Sequence, residues 1–214
     1  MQQPVRLISV RQRGWAQVVK RAADIIVALI GIVVMSPVLA AVGAVIWATM
    51  GGPVLFRQVR PGRYGKPFAL WKFRSMTDAR NSADRLPDVD RLTRVGRFLR
   101  ASSLDELPQL WNVLRGDLSL VGPRPLLTHY LERYTLEQAR RHEVLPGITG
   151  WAQVNGRNAI AWEEKFALDV WYVDHWSLLL DVRILARTLR NVILREGITG
   201  QNHATMQEFL GGGK

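Results

Sequence analysis

From Ile25 to Met50 the chain reads IIVALIGIVVMSPVLAAVGAVIWATM, a run without a charged residue in which only Ser36, Pro37 and Thr49 interrupt the apolar character. Coiled as a helix it would extend about 39 Å, against a hydrocarbon core of about 30 Å. Hydropathy alone reads this as a single crossing helix. Two features point instead to a hairpin. Both flanks are basic: Arg6, Arg11, Arg13, Lys20 and Arg21 come before, and Arg57, Arg60, Arg63, Lys66, Lys72 and Arg74 come after, with no acid between Met50 and Arg74. Lys and Arg favour the cytoplasmic side, so a crossing helix would strand one set on the wrong face. Proline at mid-run removes a backbone donor and pushes Ser36 out of helical geometry, while the serine hydroxyl can bond a freed carbonyl. The expectation is a helix broken at Ser36-Pro37 that enters and leaves by one leaflet; a kinked crossing helix is the alternative. Asp24, at the apolar boundary, needs a partner, and Lys20 or Arg21 lies within helical reach. The run is too long for a signal peptide, and no small-residue cleavage site follows it.

At 214 residues the chain is one domain, or a domain with an appendage, and can bury a core. A net charge of +11 asks for an anionic partner: nucleic acid, a phospholipid surface or a phosphorylated substrate. The absence of cysteine excludes a disulfide framework and a thiolate metal site. His129, His142, His175 and His203 are scattered without metal-ligand spacing. Gly211 to Lys214 reads as a frayed end.

Downstream, Val54-Leu55-Phe56 and Pro67 to Arg74 read as two strands joined by a hairpin at Pro61-Gly62, with Lys72 and Arg74 on one face and Trp71 and Phe73 on the other. Asn81 to Asp90 lacks a hydrophobic period and reads as loop. Leu92 to Leu99 begins a short helix with Arg94, Arg97 and Arg100 on its polar side. Leu107, Leu110, Trp111 and Leu114 are spaced for a helix that Gly116 ends. Leu126 to Arg141 reads as one helix, and 145–158 as a glycine-punctuated loop around a short extended piece. Trp162–Trp176 and Leu178–Leu194 are two further helices. In the second, Leu178, Val182, Leu185, Leu189 and Val192 form one face, read as core, with a basic amphipathic helix on the bilayer surface as the alternative.

Ser103 and Glu106 match the S-x-x-E capping box, and Pro108 allows the helix to start at Leu107 instead. Either way Asp105 and Glu106 stand at a helix N-terminus, whose free N–H groups favour anions. Successive helical residues diverge by about 100°, so the two acids should do different work. A little further on, Arg124 is held between Pro123 and Pro125, with a guanidinium fork suited to phosphate oxygens. A carboxylate nucleophile and a phosphate-holding arginine on one scaffold suggest phosphoryl-type transfer. Lys72 is the next phosphate-binding candidate. Gln153, Asn155 and Arg157 are placed to line a phosphate or nucleotide site, with loop packing as the plain alternative.

These residues together resemble the bacterial sugar transferases, or monotopic phosphoglycosyltransferases, in their minimal catalytic form. The likeness runs from Lys20-Arg21 through Ser36-Pro37, Lys72-Phe73-Arg74-Ser75-Met76, Asp105-Glu106-Leu107-Pro108-Gln109 and Gly122-Pro123-Arg124-Pro125 to residues 146–157. It implies an α+β fold, mainly helical with a small β-hairpin, an N-terminal re-entrant membrane helix and amphipathic interfacial helices. It divides the chain into a leader and re-entrant helix (1–50) and a cytoplasmic-face catalytic domain (51–214) on the bacterial inner membrane. It implies transfer of a sugar 1-phosphate from a UDP-sugar to polyprenyl (undecaprenyl) phosphate, with UMP released. Asp105 would be the nucleophile and Glu106 an acid/base or metal-placing partner, the two holding Mg²⁺. Lys72, Arg124, Gln153 and Arg157 would bind substrate phosphate. The expected partners are the UDP-sugar, polyprenyl phosphate and the phospholipid membrane; a homodimer is left open, and nucleic acid is not expected. Glu196-Gly197-Ile198, Ala204-Thr205-Met206 and Phe209 resemble members that use UDP-diacetylbacillosamine or related amino sugars, with UDP-glucose and UDP-galactose still open. The competing reading is a non-catalytic, membrane-anchored basic scaffold.

Overall fold

The computed structural model describes residues 14–77, 91–156, 160–194 and 208–211. The expected loop at Asn81 to Asp90, Arg157 and most of the C-terminal sugar cue lie outside the described residues. The helix α1 spans Trp15–Met50 and is long and apolar enough to cross a membrane. The hairpin of β1 (Leu55–Pro61) and β2 (Pro67–Phe73) follows, antiparallel, with Leu55 opposite Phe73 and Pro61 opposite Pro67. Next come α2 (Arg94–Ala101), a 3-10 turn at Leu104–Glu106, α3 (Gln109–Arg115) and β3 (Ser119–Val121). The chain continues through α4 (Leu136–Ala139), β4 (Gly147–Thr149), α5 (Trp151–Asn155), α6 (Trp162–His175) and α7 (Leu178–Ile193). β3 and β4 form a short parallel pair, so the fold is mainly helical with two small sheets.

Where a break was expected at Ser36-Pro37, the helical assignment runs through it. The reason is local. Pro37 cannot donate to the carbonyl four residues back, that of Val33, and Ser36 Oγ donates to this carbonyl at 2.8 Å instead. The helix therefore keeps its hydrogen bonds across a proline in an apolar setting. Its two ends are built into the body. Lys20, Asp24 and Ala28 are buried near the start and Ile46 near the end, while no residue from 29 to 45 is buried. Ala28 joins a core with Leu70, Val113, Leu118, Val121 and Val173; Ile46 joins another with Phe73 and Leu99.

Asp24 pairs neither with Lys20 nor with Arg21. It accepts from Ser119 Oγ at 2.8 Å and from the Leu120 amide at 3.2 Å, which fixes β3 to α1. Lys20 reaches Asp181 of α7 at 2.6 Å and the Val121 carbonyl at 3.1 Å. Tyr172 and Trp176 also donate to Asp181, at 2.7 and 3.0 Å, so both oxygens of this buried carboxylate are engaged. Arg21 caps α3 through the carbonyls of Val113 and Leu114, at 2.7 and 2.9 Å. The helix dipole favours a cation there.

Three other expectations are corrected. Residues 126–141 are not one helix: 3-10 turns at Thr128–Arg133 and Arg140–His142 flank the single turn of α4, because Thr135 forms a capping box with Gln138 and restarts the chain. The buried face of α3 is Gln109, Asn112 and Val113, whereas Trp111 is exposed. The stripe read as core on α7 faces outward at Val182, Leu189 and Val192; Leu180, Ile184 and the bonded Asp181 are the buried residues. Leu178 and Leu185 of the same stripe pack on the core, while the exposed apolar row beside Arg183, Arg187 and Arg190 gives α7 a basic amphipathic outer face.

Candidate active site

The two acids do not sit in a capping box. Ser103 takes a left-handed conformation (φ 57°) and makes no side-chain cap, and the turn Leu104–Glu106 precedes α3, with Pro108 at its N-cap. This leaves the Glu106 side chain free to turn away from its own backbone. It accepts from Lys72 Nζ at 2.7 Å and from Arg124 at 2.5 and 3.3 Å. Those cations hold its carboxyl well below the ordinary glutamate range despite burial. Asp105, 7 % exposed, has no hydrogen bond or ion pair among the described residues. Burial, then the neighbouring Glu106 charge, push its carboxyl up to about 6. Adjacent acids are thus driven in opposite directions: one is a fixed anion between two cations, the other an unbonded carboxylate that is still ionised near neutral pH.

Each cation is placed by secondary structure. Lys72 stands on β2, whose free edge is covered by Asn112 of α3. The Asn112 side chain accepts from the Trp71 amide at 3.1 Å and donates to the Ala69 carbonyl at 2.7 Å, as a neighbouring strand would. The same α3 follows directly from the acids, so one asparagine sets Lys72 against Glu106. Burial lowers the Lys72 ammonium, and the Glu106 charge opposes that effect. Arg74 does not join the site: it donates to the carbonyls of Met50, Gly51 and Gly52 and caps the end of α1.

Arg124 is raised above its usual range by Glu106. Its carbonyl accepts from Arg141 at 2.8 Å, and the buried Arg141 pairs with buried Asp169 at 2.7 Å. The glycines on either side allow backbones to touch. The Gly122 amide donates to Thr149 at 2.9 Å, and a Cβ on Gly122 would lie 2.3 Å from the Leu145 carbonyl. A Cβ on Gly150 would lie 2.2 Å from the Gly122 carbonyl. The glycine-rich motif around 147–150 therefore braces the Pro-Arg-Pro segment. Gln153 bonds the Ile148 carbonyl at 2.9 Å and Asn155 the Trp151 carbonyl at 2.8 Å; neither is bonded to Lys72, Glu106 or Arg124.

Sequence reading did not single out Asn112, Arg141 or Asp169. The available signal was a polar residue on the inner face of an apolar helix, at Asn112 and Asp169. Arg60 was noticed only as a flanking charge, and the structure brings it toward this cluster. Among the described residues no group of three or more His, Asp or Glu makes a metal cage. The donor set does fit a magnesium ion that arrives on a substrate's phosphates, since Asp105 has unengaged oxygens and Mg²⁺ commonly takes one or two carboxylates plus phosphate. A separate surface hollow lined by Thr135, Glu163, Phe166, Trp171 and His175 contains none of these groups.

The family model described as bacterial sugar transferase matches residues 15–195. The uncharacterized sugar transferase EpsL of Bacillus subtilis is 58% identical over 197 residues, 92% of this chain and 98% of that protein. The UDP-glucose:undecaprenyl-phosphate glucose-1-phosphate transferase of Klebsiella pneumoniae is 43% identical over 187 residues, 82% of this chain but 40% of that protein. The undecaprenyl-phosphate galactose phosphotransferase of Salmonella typhimurium is 38% identical over 201 residues, 83% of this chain and 41% of that protein. The chain thus spans nearly all of the first and about two fifths of the other two. With the acid pair, its cations and their glycine-braced support all inside the matched region, the chain belongs to the bacterial sugar transferase family.

Proposed function

We propose that this chain transfers a sugar 1-phosphate from a UDP-sugar to polyprenyl phosphate through a covalent intermediate on Asp105. The observation that carries the reading is the contrast within the acid pair: Asp105 is unbonded and pushed up to about 6, while Glu106 is tied to Lys72 and Arg124. An Asp105 oxygen attacks the β-phosphorus of the donor, the bond from that phosphorus to the bridging oxygen breaks, and UMP leaves with the electron pair. An oxygen of polyprenyl phosphate then attacks the same phosphorus, the aspartyl–phosphorus bond breaks and the carboxylate is regenerated. A single displacement between two anions becomes two, with no net proton consumed.

Glu106 is a positioning residue in this scheme. Held anionic, it cannot supply a proton near neutral pH; it keeps Lys72 and Arg124 aimed at the phosphates beside Asp105. Asp105, together with the substrate diphosphate, would hold magnesium, whose charge would offset that of the phosphates. The names of relatives point to UDP-glucose and UDP-galactose as the first donors to try. Of the diacetylbacillosamine cue only Phe209 is described, and it is buried in an aromatic cluster with Tyr130 and Phe166.

The membrane reading is a helix that dips into one leaflet of the inner membrane. Support comes from α1, docked on the body near both ends and exposed in between, from basic residues on both flanks, and from the outward apolar row of α7. The test of the chemistry is UMP release from a panel of UDP-sugars with polyprenyl phosphate and Mg²⁺, with intact-mass analysis of enzyme stopped during turnover. A phosphosugar adduct absent from Asp105 in a preparation that turns over would reject the mechanism. The test of topology is single cysteines at Gln3 and Gln201, both expected to resist a periplasmic thiol reagent; labelling of just one means that the chain crosses.

A further inference from the structure

Arg60 is a cation that the acid pair does not neutralise. On the hairpin, Phe56 faces Lys72, Gln58 faces Leu70 and Arg60 faces Phe68, so Arg60 and Lys72 project from the same face of the sheet. Arg60 Nη2 donates to Gln58 Oε1 at 2.5 Å, which folds the guanidinium back along the strand toward Lys72. Its Nε is buried without a hydrogen-bond partner, and no carboxylate bonds it among the described residues. Burial, and then the nearby Arg124 charge, bring it down to about 10, with Glu106 close enough to oppose them. A buried donor without an acceptor is costly, and so is a cation beside another cation; an oxyanion would relieve both.

Direction along the hairpin says which anion. The Leu55–Phe73 end packs on the close of α1, where Val54 and Phe73 meet Ile46. Arg60 lies five residues further on, about 17 Å toward the turn and away from the close of α1. On the single-leaflet reading of α1, on which this step also rests, a lipid-borne phosphate approaches from the Leu55–Phe73 end and a water-soluble nucleotide from the turn end. We propose that Arg60 grips the donor phosphate that departs with the nucleotide, the α-phosphate of a UDP-sugar, and not the phosphate of the polyprenyl acceptor. As the bond between the β-phosphorus and the bridging oxygen breaks, negative charge collects on that oxygen, and the Arg60 fork would take up that charge. This inference rests on the reading of Asp105 as nucleophile.

The experiment compares parent, Arg60→Met and Arg60→Lys in steady-state kinetics with UMP as product inhibitor, together with calorimetric binding of UMP alone. Arg60→Met is expected to raise the donor KM and the UMP inhibition constant tenfold or more and to leave the polyprenyl phosphate KM within twofold. Arg60→Lys should recover part of the loss. Unchanged donor KM and UMP inhibition, or a rise confined to the acceptor KM, overturns the proposal. If Arg60→Met does not fold, Arg60→Lys carries the test, with UMP binding weakened several-fold for want of the bidentate fork. If the parent turns over no UDP-sugar, the proposed reaction fails; UMP binding that depends on Arg60 would still uphold the site, and UMP bound equally by parent and variant, or by neither, would end it.

Discussion

Replacing Asp105, the proposed nucleophile, should make the protein more stable. Asp105 has an ordinary value of 3.8 and is raised to about 6 in the fold, chiefly by burial and next by Glu106. A group raised on folding contributes most stability when protonated, below the unfolded value, and loses it as pH rises through the folded value. The gap corresponds to about 3 kcal/mol of destabilisation at pH 8, where Asp105 is ionised in both states. By the same linkage the deficit falls to about half at pH 5 and to under a fifth at pH 4. Asp105→Asn keeps the shape and removes the charge. In detergent at pH 8 its melting temperature should exceed the parent's by roughly 6 to 12 °C, the shift a chain of this size shows for such a change. The advantage should shrink steadily toward pH 4 while turnover is lost at every pH. A variant no more stable than the parent at pH 8, or an advantage that ignores pH, would refute the account of Asp105 as a carboxylate held under electrostatic stress.

On the proposed mechanism Asp105 attacks as the ionised carboxylate, so kcat/KM of the parent should fall tenfold per unit below about pH 6 in a pH–rate profile. Glu106→Gln removes the like charge beside Asp105 and the anchor of Lys72 and Arg124. The acid limb should move to lower pH while the maximal rate drops by about two orders of magnitude, the scale expected when preorganised charge is lost. Arg141→Met leaves Asp169 buried and unpaired beneath Arg124 and should cost about 3–5 kcal/mol in denaturant unfolding, with the double change Arg141→Met/Asp169→Leu regaining much of it. Ser36→Ala leaves the Val33 carbonyl without its side-chain donor at the proline, so it should lower the melting temperature measurably without moving the donor KM.

Legibility divided along physical lines. The hairpin, α6, α7 and the glycine that ends α3 were readable because alternation, helical period and a positive-φ glycine act over a few residues; Gly116 has φ 90°. Asp105, Glu106, Lys72 and Arg124 were legible as candidates, because proline brackets and paired carboxylates are local signals as well, and the structure brings Glu106, Lys72 and Arg124 into contact. The inward face of α7 was misread: Leu180, Asp181 and Ile184 turn inward because Lys20, 161 residues away in sequence, meets Asp181. Ser103 and Glu106 looked like a capping box, yet two distant cations outbid the backbone for that carboxylate.

By itself, then, the sequence determined an apolar helix with a proline at its middle, a basic body and the residue types of a phosphoryl-transfer site. Only tertiary structure decided which acid is bonded and which has no partner among the described residues, that Asn112 clamps β2, that glycines serve as backbone contacts beneath Arg124, and that Arg60 shares a sheet face with Lys72. Those outcomes depend on electrostatic and hydrogen-bond partners far apart in the chain, and no local pattern encodes which distant group will arrive.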